Sequence, residues 1–326
     1  EEFNSLYENE KCYRDAPPNK SLRTLKTAIY AAVEKENIEI IELLLSNPRI
    51  DINIPCTKTL IKTGIKEKYE RTPLYEAIKI GNIDIIKLLL KNNKLDINII
   101  NKKQHKNIFI KGSEICTYFT SKETEKTAFY KAIEKENVGI IKLLLQNDKL
   151  NINIPYIEEI LNTKQSIDDD TVFLEKEERK TKEITSLFTA VQRGNIEIIK
   201  LLLENENLNI NFLNRYREDY YPHQMNVRYD KIKMISYAET ALYEAVDKKK
   251  IDVVKLLLSF DKININSLNK DGNQVLTSMH KAVQKNCLEI VKILLANKNI
   301  DISIKDDKGK TPVYYANNEI KKLLDH

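Results

Sequence analysis

The residues able to do chemistry are few and scattered. Cys12, Cys56, Cys116 and Cys287, with His105, His223, His280 and His326, stand far apart in the chain. No Cys-x-x-Cys pair or His spacing would place two ligands on one metal. No histidine lies beside a Ser or Cys in a recognisable nucleophile motif, so acyl transfer has no candidate pair. The run Asp168-Asp169-Asp170 offers carboxylates to Ca²⁺ but lacks the spaced oxygens, central Gly and distal Glu of a calcium loop. Seven glycines in 326 residues, all widely separated, exclude a phosphate loop or dinucleotide fingerprint. The expectation is therefore no catalytic residue, no metal ligand and no cofactor.

What remains is the chemistry of contact. Tyr216, Tyr220, Tyr221, Tyr229 and Tyr237 gather with Arg215, Arg217 and Arg228 in one stretch, and Tyr and Arg are the side chains that most often anchor interfaces. The same tyrosines could instead pack their own segment. Two earlier stretches are basic, one with Lys58, Lys62, Lys66, Lys68, Tyr69 and Arg71, the other with Lys102, Lys103, His105, Lys106 and Lys111. They suit an acidic partner or a phosphate, or equally a solvated hairpin whose edge is guarded by lysine. A third set, Lys35, Lys135, Arg193, Lys248 and Lys285, recurs at the ends of successive helices. It forms a basic stripe in one reading and answers helix dipoles in the other, with Glu34, Glu134 and Asp247 beside three of its members.

Those positions belong to a repeat. TAIYAAVEKENIEIIELLLSNPRIDINI from Thr27 returns as TPLYEAIKIGNIDIIKLLLKNNKLDINI from Thr72, and again from Thr127, Thr185, Thr240 and Thr277, with a shortened copy from Thr311. Each opening Thr can cap the free N–H groups of a first helix, and Pro73 and Pro312 follow where a first-turn proline is tolerated. A break near Gly81 or Gly194 leads to a second, Ile/Leu-rich helix. After it, stubs such as Leu95-Asp96-Ile97-Asn98-Ile99 alternate with the period of two expected of extended chain. A helix pair with two apolar faces cannot bury both alone, so the pairs must stack.

The Thr-Pro-Leu-Tyr opening at Thr72 to Tyr75, the Gly81-Asn82 break, the Ile-Ile-Lys-Leu-Leu-Leu helix and the Asp-Ile-Asn tail together resemble ankyrin repeats. The resemblance implies a mainly α fold, an α-solenoid of six full helix pairs plus a truncated one, with extended β-hairpin or loop fingers. Residues 1–24 would form a capping segment and 25–326 the array, with repeats near 25–54, 71–99, 126–154, 184–212, 239–267, 276–304 and 310–326. The family's usual His in the opening motif survives only at His280. Tyr30, Tyr75, Tyr130, Phe188, Tyr243 and Tyr314 replace it elsewhere, so aromatic packing is the expected substitute. Glu36, Glu136, Lys249 and Asn286 stand where the family prefers Gly, which implies strain or a different turn geometry.

Successive opening threonines are 45, 55, 58, 55, 37 and 34 residues apart, against about 33 for the family. The excess falls in four insertions, 55–70, 100–125, 155–183 and 213–238. The first two read as lengthened hairpins able to pair edge to edge, and the acidic third as helix-plus-coil or a partly disordered segment. Insertions on one face of a repeat array mark a binding face. With 53 basic and 48 acidic residues, the net charge of +5 gives no bulk attraction to nucleic acid or membrane. No apolar run approaches the roughly 20 residues of a membrane-spanning helix. The expected function is a noncatalytic scaffold binding a protein partner through the concave face and fingers. Nucleic-acid or anionic-lipid binding through the two basic fingers is the alternative, and a recognition arm of a larger enzyme or effector is a third. Scattered thiols suggest the cytoplasm, with the nucleus also open and a trimmed signal ahead of Glu1 left open.

Overall fold

A computed structural model describes residues 7–10, 21–62, 65–111, 116–168, 171–222 and 233–324. The chain divides into two compact units, Glu1–Thr181 with Glu218–Met234, and Lys182–Arg217 with Ile235–His326.

The elements run, in chain order, β1 (Tyr7–Glu10), β2 (Ser21–Lys26), α1 (Ala28–Glu34), α2 (Ile38–Leu45), β3 (Cys56–Lys62), β4 (Ile65–Arg71), α3 (Pro73–Ile80), α4 (Ile83–Leu90), β5 (Asn101–Lys111) and β6 (Cys116–Lys126). They continue as α5 (Ala128–Lys135), α6 (Val138–Leu145), β7 (Tyr156–Asp168), β8 (Thr171–Ile184), α7 (Ser186–Arg193), α8 (Ile196–Leu203), β9 (Asn214–Pro222) and β10 (Lys233–Glu239). The last are α9 (Ala241–Asp247), α10 (Ile251–Leu258), β11 (Asn269–Asp271), β12 (Gln274–Leu276), α11 (Ser278–Gln284), α12 (Leu288–Leu295), a 3₁₀ turn (Pro312–Tyr315) and α13 (Asn318–Leu324).

Helix starts follow the capping chemistry of the sequence. The hydroxyls of Thr27, Thr72, Thr127, Thr185, Thr240 and Thr277 each accept the N–H three residues on. Thr311 makes no such bond and opens only the 3₁₀ turn. Asn37, Asn82, Asn137 and Asn195 cap the second helices in the same way. Between the two helices, Glu36, Glu136, Lys249 and Asn286 have φ of 53°, 54°, 53° and 51°, the left-handed region that Gly81 and Gly194 also occupy. The turn geometry is thus kept and the side-chain residues carry the strain.

The mainly α expectation is corrected by the strands. Among the described residues no α-helix exceeds 8 residues, whereas β7 and β8 have 13 and 14. The acidic third insertion is therefore strand on both arms rather than helix and coil. In the first unit every strand from β1 to β7 pairs antiparallel with the next, and in the second β11 joins β10 to β12. The physical reason is edge satisfaction. A lone hairpin leaves two rows of N–H and C=O groups open, and fingers repeating along a stack close each other's edges.

The core lies between helices. Ile85, Ile86 and Leu89 on α4, and Ile140, Ile141 and Leu144 on α6, are fully buried, each such side chain contributing about 2 kcal/mol. The alternating stub proves to be a turn, not extended chain. Asn98 N–H donates to Asp96 Oδ1 at 2.9 Å, and the turn sends Leu95 and Ile97 inward. Its asparagines also bond across repeats. Asn53 Nδ2 donates to Lys94 O at 2.8 Å while Asn53 Oδ1 accepts the Asp96 N–H at 2.9 Å. Asn98, Asn211 and Asn266 repeat this pair of bonds on the units that follow them.

Candidate functional site

Three side chains share one address in the first unit, the residue just before a capping Thr, where a finger strand hands over to a first helix. They are Lys26, Arg71 and Lys126. Lys26 Nζ lies 2.9 Å from Glu34, Arg71 3.4 Å from Glu76 and Lys126 2.9 Å from Glu134. Aromatic rings flank the cations. The Arg71 guanidinium sits 4.1 Å over the Tyr69 ring, and Lys126 Nζ 5.0 Å over Tyr156, which stacks at 5.0 Å on Tyr130. Such rings draw cations through their electron-rich faces.

Two clefts open at this line. The first, of about 190 Å³, has Lys26, Tyr30, Glu34, Cys56, Lys58 and Tyr69 among its walls. The second, of about 240 Å³, is lined by Arg71, Tyr75, Lys102, Lys103, Lys126, Lys131 and Glu134, with Asn101 and Thr124 between them. Strand register supplies the finger side of both. Thr24, Lys58, Tyr69, Lys103 and Thr124 are consecutive cross-strand partners from β2 to β6, so they share one sheet face. The second cleft carries a surplus of positive charge. Its five cations meet Glu76 on Arg71, Glu125 on Lys102 and Glu134 on Lys126 and Lys131. The Lys103 side chain is exposed and has no ion pair or hydrogen bond with another described side chain. Burial would raise the Glu134 carboxyl, but hydrogen bonds from Lys131 and Lys126 hold it below the ordinary range. Burial pushes the Cys56 thiol of the first cleft up to about 11, so it is a thiol rather than a thiolate at neutral pH.

The second unit has no cation before its three capping threonines, where Ile184, Glu239 and Leu276 stand, and Lys310 precedes Thr311. Lys281 Nζ is held 3.0 Å from Asp247 and 2.5 Å from Asp271, and Asp271 also accepts the Tyr243 hydroxyl at 3.0 Å. Burial, then the charges of Glu244, Asp271 and Asp247, push the Glu239 carboxyl up to about 7. Burial alone would raise Asp247 too, but hydrogen bonds from Lys248, Lys285 and Lys281 pull it well below the usual carboxylate range.

The residues singled out by sequence scatter over these surfaces. Lys66, Tyr69, Lys103 and Lys106 all lie on the paired fingers, and Tyr69 and Lys103 reach the clefts. Lys66 is exposed, facing Lys106 across the β4–β5 ladder, and Lys106 stands 4.0 Å from Glu123. His105 bonds Glu67 at 2.8 Å. The basic fingers are therefore laced with carboxylates. Tyr216 packs against Tyr237 at 5.9 Å, and Lys176 sits 4.8 Å over Tyr220, so part of the fourth finger's aromatic set packs the finger itself. Tyr221 is half-buried and Arg217 exposed. Arg228 and Tyr229 lie outside the described residues. In the helix-end set, Lys35 is exposed, Lys135 Nζ donates to Lys79 O at 2.5 Å, and Lys248 pairs with Asp247 at 2.9 Å. Arg193 is also partnered. Two of these lysines thus serve helix ends and neighbouring acids rather than an open stripe.

Sequence reading missed Lys26, Lys126 and Lys131. The signal was present in the aligned repeats, where the position before Thr is cationic in the first three, in none of the next three and again at Lys310. It also missed a buried clamp. Asn101, Asn214 and Asn269 each accept both the N–H and the hydroxyl of their repeat's capping Thr, at 2.7 to 3.2 Å. The same place holds Cys56 and Tyr156 in repeats one and three. His280, fully buried, bonds Thr277 and donates from Nε2 to Lys310 O at 3.0 Å, tying the truncated repeat to its neighbour. Tyr243 supplies a comparable polar link to Asp271, so aromatic substitution does not remove the polar network everywhere. Among the described residues no group of three or more His, Cys, Asp or Glu side chains could hold a metal ion, and no helix is long and apolar enough to cross a membrane.

With capped helix pairs, stub turns and fingers in place, the comparisons with known proteins agree on the class. A family model described as Ankyrin repeats (3 copies) matches residues 19–101, 55–211, 157–269, 218–306 and 242–326. The chain belongs to the ankyrin-repeat family, whose members are generally protein–protein interaction modules. The fold is similar to the crystal structure of the ankyrin repeat domain of Bcl-3, a member of the IkappaB protein family, with a TM-score of 0.56, 17% identity, 92% of this chain and 99% of that one covered. An ankyrin repeat domain from Acinetobacter baumannii AYE gives a TM-score of 0.44 at 18% identity, over 77% of this chain and 95% of that one. A search of curated protein sequences returned no significant match.

Proposed function

We propose that the chain is a noncatalytic protein-binding scaffold whose first unit takes an acidic segment of its partner against the finger sheet and first helices. One observation carries the reading. The 240 Å³ cleft gathers Arg71, Lys102, Lys103, Lys126 and Lys131 beside a Tyr75 wall, with only three carboxylates paired to them. A surplus of cations on a partly desolvated, aromatic-walled surface favours a carboxylate arriving with its own chain. The alternative, an extended nucleic acid or an anionic lipid surface, needs an unbroken basic track. Pairing of Lys102, His105 and Lys106 with Glu125, Glu67 and Glu123 breaks such a track along the fingers.

Affinity capture from the source cell with the intact chain and with Lys103→Glu tests this. The reading expects acidic-segment proteins to be lost from the variant while the thermal midpoint shifts little. Identical capture by both chains overturns it. Retention of nucleic acid at low salt, lost by the variant and steeply salt-dependent, favours the alternative.

A further inference from the structure

The first helix pair differs from the others in one respect that its sequence does not explain. The third residue of each second helix is apolar, and it is buried in every pair but the first. Ile85, Ile140, Ile198, Val253 and Ile290 are 0%, 0%, 1%, 3% and 0% exposed, whereas Ile40 is 47% exposed. Leu43, one turn further on α2, is 72% exposed. The same holds at the first residue of the first helix. Pro73, Ala128, Ser186, Ala241 and Ser278 are buried, and Ala28 is exposed. Both helices of the first pair therefore lay open positions that are buried in every later pair.

The rest of the fold says what fits there. Interfaces between consecutive helix pairs recur through each unit, α1 on α3 and α2 on α4 in the first, α9 on α11 and α10 on α12 in the second. The open flank of α1 and α2 continues that series. The strands ahead of it point the same way. β4 runs into Thr72 and pairs with β5, and β2 runs into Thr27 and pairs with β3 in the same antiparallel sense. β1 and β2 thus occupy the place of a finger, and every other finger here joins one helix pair to the next. The far end is built differently, since α13 turns Glu319, Lys321 and Lys322 to solvent. A terminal pair that ends a stack needs such a polar outer face. α2 also exposes Glu39 and Glu42, but with the apolar Ile40 and Leu43 open beside them, and a second copy's α13 end would offer those two side chains charge rather than apolar surface.

We infer that the open flank of α1 and α2 is the seat of a further helix pair of the same repeat type, leading into β1. The experiment extends the 326-residue chain with a second copy of residues 72–99 ahead of residue 1. The extended chain is expected to unfold several degrees higher and to slow hydrogen exchange in α1 and α2. Ile40→Lys/Leu43→Lys should remove that gain, yet leave the midpoint of the unextended chain within about a degree, as expected of exposed positions. Three results would overturn the inference. One is an extension that brings no gain. Another is a large loss from Ile40→Lys/Leu43→Lys in the unextended chain, comparable to Ile85→Lys, which would mean the chain already covers this flank. The third is a concentration-dependent dimer in sedimentation that the double variant abolishes, which would make a second copy the occupant.

Discussion

The two units build the same helix pairs but differ in the charge beside their capping threonines. In the first, Lys26, Arg71 and Lys126 close each finger and front open clefts. In the second, Glu239 stands there, and its neighbours Glu244, Asp247 and Asp271 are turned on Lys281, Lys285 and Gln192. One side keeps spare cations facing outward and the other spends its acids on internal bonds. The stack fixes where a side chain is presented, while the finger closing beside it decides whether that side chain meets solvent or a neighbour.

The comparison breaks most readily at the element both units share. Asn269→Ala should cost about 3 kcal/mol, because a fully buried clamp leaves the Thr240 N–H and hydroxyl without their acceptor. Asn101→Ala should cost a similar amount, and denaturant melts of the two variants check it. A loss below about 1 kcal/mol in either would show that the clamp does not hold the finger base. Lys281→Met comes next, at about 2 kcal/mol, since it takes the cation from Asp271 and one of three from Asp247, beside Glu239. If Arg71→Met in the first unit cost more than Lys281→Met, the division into inward and outward charge would fail.

A pH series sharpens the contrast. The Glu239 carboxyl is held near 7 in the fold against an ordinary value near 4.5, so the folded state keeps its proton where the unfolded chain has lost it. Its contribution is complete below about pH 4.5 and fades as the pH rises through about 7. The effect is of order 1–2 kcal/mol once its partial exposure is allowed for. Glu239→Gln should flatten thermal midpoints across that window, and an unchanged slope would remove Glu239 as the cause. Lys249→Gly should stabilise by about 1 kcal/mol, because a left-handed φ of 53° suits glycine. The smallest effect is Lys103→Glu, expected within about 0.5 kcal/mol of the parent in stability, as for an exposed side chain with no partner.

Helix pairs were legible in the residues because their signals are local: Thr caps, 3.6-residue spacing and a break every repeat. The sheet was legible only in part, since the first two hairpins read as able to pair edge to edge but the third insertion did not read as strand at all. The acidic arm Glu175, Glu177 and Glu178 reads as a solvated segment alone, yet as β8 it meets Asn162 and Lys180. The stub misled for a related reason, since an Asx turn alternates buried and exposed residues much as a strand does. Of the site, Tyr69 and Lys103 were named from composition, but the clefts needed Lys26, Lys126 and Lys131, which no finger motif marks. The Tyr/Arg cluster looked like an anchor because its types are right, and Tyr216 on Tyr237 shows the finger using them itself.

The Asn clamp gives the chain a ruler. From capping Thr to clamp Asn is 29 residues in the second, fourth and fifth repeats alike, although the distances between successive threonines range from 34 to 58. Everything the stack needs is measured off within that interval, and whatever follows is free length until the next Thr restarts the count. A finger can therefore be lengthened, shortened or exchanged for a foreign hairpin without retiming the helices, which makes these insertions the part of the molecule most open to change.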